Sequence, residues 1–209
     1  MNFSHCINNS PYKKVKYLPE RLYFHKDIIM KAILCGNSTV GKTSILNALT
    51  GAHEFGPTTP TLGAGCANVT FQYQNEDITM NVWDTAGQEA YRSLIKIYFR
   101  DTRVAILVFD VTSKPSFDAI DKWVQDIYEN CGRDNTPILI AANKIDLIEN
   151  RVISSEELTK KARHLNCPFM EISAKTKTCL MEMMTVAYRM AIGEKVPIDP
   201  TENFFATEG

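Results

Sequence analysis

The chain has 209 residues, 44% hydrophobic and 22% charged, with a formal net charge of −1 at pH 7. That is ordinary globular composition, enough for one domain with tails at roughly 150 residues per domain, and the charge balance argues against nucleic acid as a bulk electrostatic partner. The six cysteines include no C-x-x-C pair and read as reduced thiols of a cytosolic protein; no run approaches the ~18 apolar residues of a membrane span, and residues 1–10 are too polar for a secretory signal.

Residues 1–26 carry no clear hydrophobic period. Pro11 and Pro19 interrupt them, and Lys13, Lys14, Lys16, Arg21 and Lys26 make them basic. We expect a flexible or loosely docked extension; weak attraction to an anionic membrane or a partner is the sharper reading. A domain at 27–193 follows, and then a tail at 194–209.

Residues 28–35 form a short apolar run with β-branched members, as in a buried strand. Ile45, Leu46 and Leu49 suit the first turns of a helix. Between them stands Gly36-Asn-Ser-Thr-Val-Gly41-Lys42-Thr43, the G-x-x-x-x-G-K-T phosphate loop. Its glycines allow a tight wrap that turns several backbone N–H groups onto one point, and the helix N-terminus adds roughly half a positive charge there. Lys42 can reach β- and γ-phosphates, and the Thr43 hydroxyl can ligate Mg²⁺.

Residues 50–65 are rich in Gly, Pro and Thr and are predicted as a loop. Alternation at Val69, Phe71 and Tyr73, then at Ile78, Met80 and Val82, predicts a hairpin over 68–73 and 78–82 that turns at 74–77. The continuous apolar run 104–108 reads as a parallel strand covered on both faces. A stripe of Phe117, Ile120, Trp123, Val124 and Ile127 predicts one helix over 113–130. A buried strand at 138–142 comes next. Ser154-Ser-Glu-Glu157 then looks like a capping box opening a helix to Leu165. A short strand at 169–172 and a helix over 179–192 close the domain, with its methionines as core filler; from Gly193 the chain should fray. Strands alternating with helices argue an α/β fold with a doubly wound, mostly parallel sheet, the hairpin adding one antiparallel edge strand. Ligands of such sheets bind at the rim where the strands end.

Several unusual residues follow strands. Asp84 can bind Mg²⁺ directly or through water, Gly87 lets its N–H approach a γ-phosphate, and Gln88 can orient an attacking water. Asn143-Lys144-Ile145-Asp146 follows another strand. A carboxylate there accepts two hydrogen bonds from guanine but faces an acceptor on adenine, a mismatch that can discriminate by about 10⁴. A turn after a strand is the bland reading of the same residues. Ser173, Ala174 and Lys175 follow the last strand and can offer a backbone N–H to the base oxygen. Thr61 lies eighteen residues after Thr43, where a threonine can give its hydroxyl to Mg²⁺ and its N–H to a γ-phosphate.

GNSTVGKTS, TLG, WDTAGQE, NKID and SAK occur in that order. With them, residues 28–192 resemble the Ras superfamily of small GTPases. Trp83, Tyr91-Arg-Ser-Leu94, Tyr98-Phe-Arg100, Leu107-Val-Phe-Asp-Val-Thr112 and Glu171-Ile-Ser-Ala-Lys175 make the Rab branch the most similar. The resemblance implies a P-loop NTPase of the small G-domain type, six-stranded with about five helices, that cycles between GDP and GTP with slow intrinsic hydrolysis in vesicle traffic or signalling. It implies phosphate contacts from Gly36, Ser38, Thr39, Val40, Gly41, Lys42, Thr43, Ser44 and Gly87, and Mg²⁺ held by Thr43 and Thr61 with Asp84 in its outer shell. Gln88 is then the catalytic residue. Guanine is held by Asn143, Lys144, Asp146 and Ser173–Ala174–Lys175, and Phe55, one place off the usual spacing, is the candidate aromatic over the base. The implied partners are an exchange factor, an activating protein and an effector, acting on a cytoplasmic monomer that reaches endomembranes peripherally through partners.

Departures from the pattern accompany the match. Ala64-Gly65-Cys66 stands where a Rab continues with Val-Asp-Phe or similar, and Thr58 where an aromatic is common. In the sequence as it stands, Asn2 excludes N-myristoylation and the end Asn203-Phe-Phe-Ala-Thr-Glu-Gly209 has no cysteine to prenylate, so either no lipid anchor is expected or the chain is truncated. These departures motivate a second reading, a nucleotide-loaded interaction module that does not cycle. A third, an ATP-using P-loop enzyme, is opposed by Asp146.

Overall fold

A computed structural model describes residues 29–51, 64–85, 98–131 and 136–198. Six strands form one sheet: β1 Met30–Cys35, β2 Ala64–Tyr73, β3 Glu76–Thr85, β4 Val104–Asp110, β5 Ile138–Asn143 and β6 Phe169–Glu171. Their spatial order is β2-β3-β1-β4-β5-β6. Only the β2–β3 pair is antiparallel, and β2 occupies an edge, as the alternation pattern implied. Helices among the described residues include α1 Lys42–Thr50, α2 Lys114–Asp118, α3 Ile120–Asn130, α4 Ser155–Leu165 and α5 Leu180–Ala191, with a 3₁₀ turn at Ile148–Asn150.

The central strands read as continuous apolar runs because both faces are covered. Ala32, Leu34, Ile106, Val108, Leu139 and Ala141 face a core shared with Ile45, Leu46 and Leu49 of α1 and with Leu180, Met183, Met184, Ala187 and Met190 of α5. Their neighbours Ile33, Cys35, Ala105, Leu107, Ile140 and Ala142 face the opposite core, with Ile120, Val124 and Ile127 of α3 and Leu158 and Ala162 of α4. Met183, Met184 and Met190 of α5 are thus core filler, as expected, while Met181 is exposed. Cys35, Cys66, Cys131, Cys167 and Cys179 are all unbridged.

Several boundaries differ from the sequence reading; β2, for one, begins at Ala64, inside the expected 50–65 loop and four residues before the expected strand. β1 begins at Met30, two residues later than the apolar run suggested. The hairpin turns on two residues, Gln74 and Asn75, both at positive φ (51° and 62°), so the strands extend to pair Gln72 with Asp77 and Tyr73 with Glu76; a tight turn of this kind matches the twist of its strands. The single helix over 113–130 is two. Ser113 caps α2 by accepting from the Ser116 N–H, and the Ala119 N–H turns back to the Pro115 and Phe117 carbonyls before α3 starts. Lastly, the chain does not fray at Gly193. The Glu194 N–H bonds the Arg189 carbonyl at 2.9 Å, its carboxylate takes bonds from the Tyr73 hydroxyl and the Arg189 guanidinium, each at 2.8 Å, and Val196 packs on the first core.

The capping box at Ser154 is present. Ser154 Oγ accepts from the Glu157 N–H, and Glu157 accepts from the Ser154 N–H, both at 3.1 Å. Among the described residues no helix is long and apolar enough to cross a membrane.

Candidate functional site

The loop between β1 and α1 has little room for side chains. Gly36 sits at φ 131°, and a Cβ there would stand 2.1 Å from the Val108 carbonyl oxygen. Gly41, at φ 99°, would place a Cβ 2.4 Å from the Asn143 amide nitrogen. Both positions therefore require glycine for backbone conformation and for space. Thr39 also adopts positive φ, 67°. Gly41 is the N-cap of α1, the first turn of which carries no acidic residue, so the positive end of the helix stays uncompensated by its own side chains.

Lys42 opens α1 and is only 5% exposed. Its ammonium donates to the Gly36 and Asn37 carbonyls at 2.9 and 2.7 Å. Burial pulls its pKa down from 10.5 to about 8, against the opposing pull of Asp84 and Cys35. A buried cation served mainly by carbonyls on a loop edge is suited to receive an anion. Thr43 Oγ1 donates to Asp84 Oδ2 at 2.6 Å, which brings the end of β3 to the start of α1. Pairing of Leu34 with Asp84 in neighbouring strands sets that meeting. Hydroxyl and carboxylate are hard oxygen donors, the set that suits Mg²⁺. Ser38 and Thr39 are exposed on the loop, and Val40 is buried beneath it. Ser44 lies half-buried in the first turn of α1.

The motifs after β5 and β6 meet the same loop. Asn143 is 1% exposed. Its amide donates to the Val40 carbonyl at 2.9 Å, and its oxygen accepts from the Ala174 N–H at 3.0 Å. One side chain thus clasps the phosphate loop to the 173–175 loop. Lys144, at φ 70°, donates to the Thr39 carbonyl at 2.9 Å. Asp146 accepts from Ser173 Oγ at 2.6 Å, and its second oxygen lies 3.9 Å from the exposed Lys175 ammonium. Ser173 Oγ in turn accepts from the Thr176 N–H at 3.1 Å, which curls the loop over the carboxylate. Phe55, Thr61, Gly87 and Gln88 lie outside the described residues.

Two contributors were missed by the sequence reading. Asp110 ends β4 and pairs with Lys144 at 2.6 Å, while its other oxygen accepts from the Thr112 N–H and hydroxyl at 2.8 and 2.7 Å. Its position as a carboxylate at a strand end was the available signal. Trp123, read only as part of an apolar stripe, donates its indole N–H to Asn37 Oδ1 in the phosphate loop at 2.7 Å; nothing in the spacing of α3 announces that bond.

A family model described as the Ras family matches residues 31–192. The chain is 38% identical to Ras-related protein Rab-26 of Homo sapiens over 151 residues, which are 72% of this chain and 59% of that protein. Against Ras-related protein Rab-37 of Mus musculus the identity is 39% over 151 residues, 72% of this chain and 67% of the relative. Against Ras-related protein RABF2b of Arabidopsis thaliana it is 34% over 180 residues, covering 86% and 87% of the two chains. The match thus spans about three-fifths of the length of the Rab-26 relative.

Proposed function

Because this chain is a Rab-like member of the Ras family, we propose that it is a GDP/GTP switch that hydrolyses GTP slowly, with residues 27–193 as its G domain. The observation that carries the reading is the clasp. Asn143 bonds the phosphate loop with one end and the 173–175 loop with the other, beside the Asp146 carboxylate. Phosphate-cradling and base-reading parts are thereby built as one rigid unit.

In this reading Gly36, Ser38, Thr39, Val40 and Gly41 turn their N–H groups to the phosphates, with Lys42 leaving its carbonyl partners for the β- and γ-phosphate oxygens and Ser44 adding a contact from α1. Thr43 and Asp84, already within 2.6 Å of each other, would hold Mg²⁺ together with Thr61. Bound there, the ion neutralises charge on the phosphate oxygens. Asp146 reads the guanine N1–H and 2-amino group, while Lys144, Ser173, Ala174 and Lys175 close the base pocket, with Phe55 as its aromatic lid. Gly87 gives its N–H to the γ-phosphate, and Gln88 orients the attacking water. An activating protein would supply an arginine finger, and turnover without it is slow. Thr61 and Gly87 lose their contact when the γ-phosphate leaves, which lets the loops around them change state. Exchange factor, activator and effector are the expected partners, on the cytoplasmic face of endomembranes.

Competition binding tests the base assignment. GTP and GDP should displace a fluorescent guanine nucleotide, and ATP should fail at a thousandfold excess. Asp146→Ala should erase most of that preference, because the buried mismatch is what rejects adenine. Displacement by ATP as readily as by GTP would overturn the reading. Phosphate release at buffer background, even with activating proteins present, would remove hydrolysis and leave a nucleotide-loaded interaction module.

A further inference from the structure

The phosphate loop is held from outside by three side chains distant in sequence. Asn143 holds the Val40 carbonyl, Lys144 holds the Thr39 carbonyl, and Trp123 holds the Asn37 side chain. The first two belong to a base-reading motif. Trp123 belongs to α3, eighty-six residues beyond Asn37, and lies in no nucleotide motif.

We infer that Trp123 is a positioning residue for the phosphate loop, acting through Asn37 to set how slowly bound nucleotide is released. The inference rests on reading this loop as a nucleotide cradle. Three features support it. Thr39, a non-glycine residue in the loop, holds a positive φ of 67°, and such a conformation persists only when its surroundings hold it. The tie comes from a rigid partner: Trp123 packs against the core formed by Ile120, Val124 and Ile127, so keeping the indole in place costs little further side-chain entropy. And Asn37 itself bears on the site, because its carbonyl receives the Lys42 ammonium at 2.7 Å. A loop pinned at Asn37 keeps its N–H groups turned inward, and release requires it to open.

The test uses protein loaded with a fluorescent GDP analogue and Mg²⁺, chased with excess GDP. Trp123→Phe keeps an aromatic ring at this position and removes the donor. Asn37→Ala removes the same tie from the other end and serves if the first variant folds poorly. Each should release the analogue about fivefold faster, the scale of one lost hydrogen bond. The double variant should be no faster than the faster single one, because both remove one interaction. Single-turnover GTP hydrolysis by Trp123→Phe should change less than twofold. Ile127→Val loosens α3 without touching the tie and should leave release unchanged.

Wild-type release rates in both single variants would overturn the inference, as would additive effects in the double variant or equal acceleration by Ile127→Val. Failure of the wild-type protein to bind the analogue would instead sink the nucleotide reading beneath it, so the two failures are distinguishable.

Discussion

On the proposed function, Lys42 is a buried side chain prepared for an anion. Without a phosphate, burial outweighs its partners and lowers its pKa to about 8. The folded pKa lies below the ordinary 10.5, so the fold favours the neutral amine. The ligand-free protein should therefore gain stability as pH rises from about 8 towards 10.5, and below about 8 the burial penalty stands in full. A bound phosphate restores the ammonium, so nucleotide binding at pH 9 should take up most of one proton, and binding at pH 7 almost none through this group. Calorimetric titration at pH 9 in two buffers of different ionisation enthalpy reads this directly. Equal binding heats in the two buffers would contradict it. The same scale shows why Asp110 and Trp123 escaped the sequence reading. Each acts on another side chain of the site, and a second-tier contact across 34 residues or 86 leaves no local spacing to detect.

The strands and helices were legible wherever burial is continuous or periodic. The runs that became β4 and β5, the alternation in β2 and β3, and the capping box of α4 each express one local rule, and the structure follows them. Boundaries were legible only where a local residue fixes them. The hairpin turn was misjudged because Gln74 and Asn75 carry the positive φ without a glycine. The split between α2 and α3 turns on carbonyls within the same polar stretch. The segment after α5 was misjudged for another reason: its order comes from a tertiary contact. Tyr73 on the β2–β3 hairpin bonds Glu194, and the Tyr73 ring packs edge-on to Tyr188 at 5.2 Å. Tyr73→Phe keeps the ring contact and removes the bond. The amides of Glu194, Lys195, Val196 and Ile198 should then exchange with deuterium about fivefold faster, while those of β2 and β3 keep their protection. Unchanged exchange at 194–198 would mean that Arg189 and the apolar contact at Val196 suffice to hold the segment.

On the scale of the whole molecule, the sheet brings five strand ends to one rim: β1 with the phosphate loop, β3 with Asp84, β4 with Asp110, β5 with Asn143 to Asp146, and β6 with Ser173 to Lys175. Asp110 apart, the sequence motifs named these residues because each chemistry needs particular atoms at particular spacings. They did not reveal that Asn143 and Lys144 brace the phosphate loop, since that role exists only after the chain has folded. On the proposed function, the arrangement amounts to a receptor in which base recognition and phosphate binding would share one framework. Its most direct test is the identity of the nucleotide that accompanies the purified protein, found by denaturing it and chromatographing the supernatant. The account predicts a guanine nucleotide at close to one per chain. An adenine nucleotide in its place, or a folded protein with none, would contradict it.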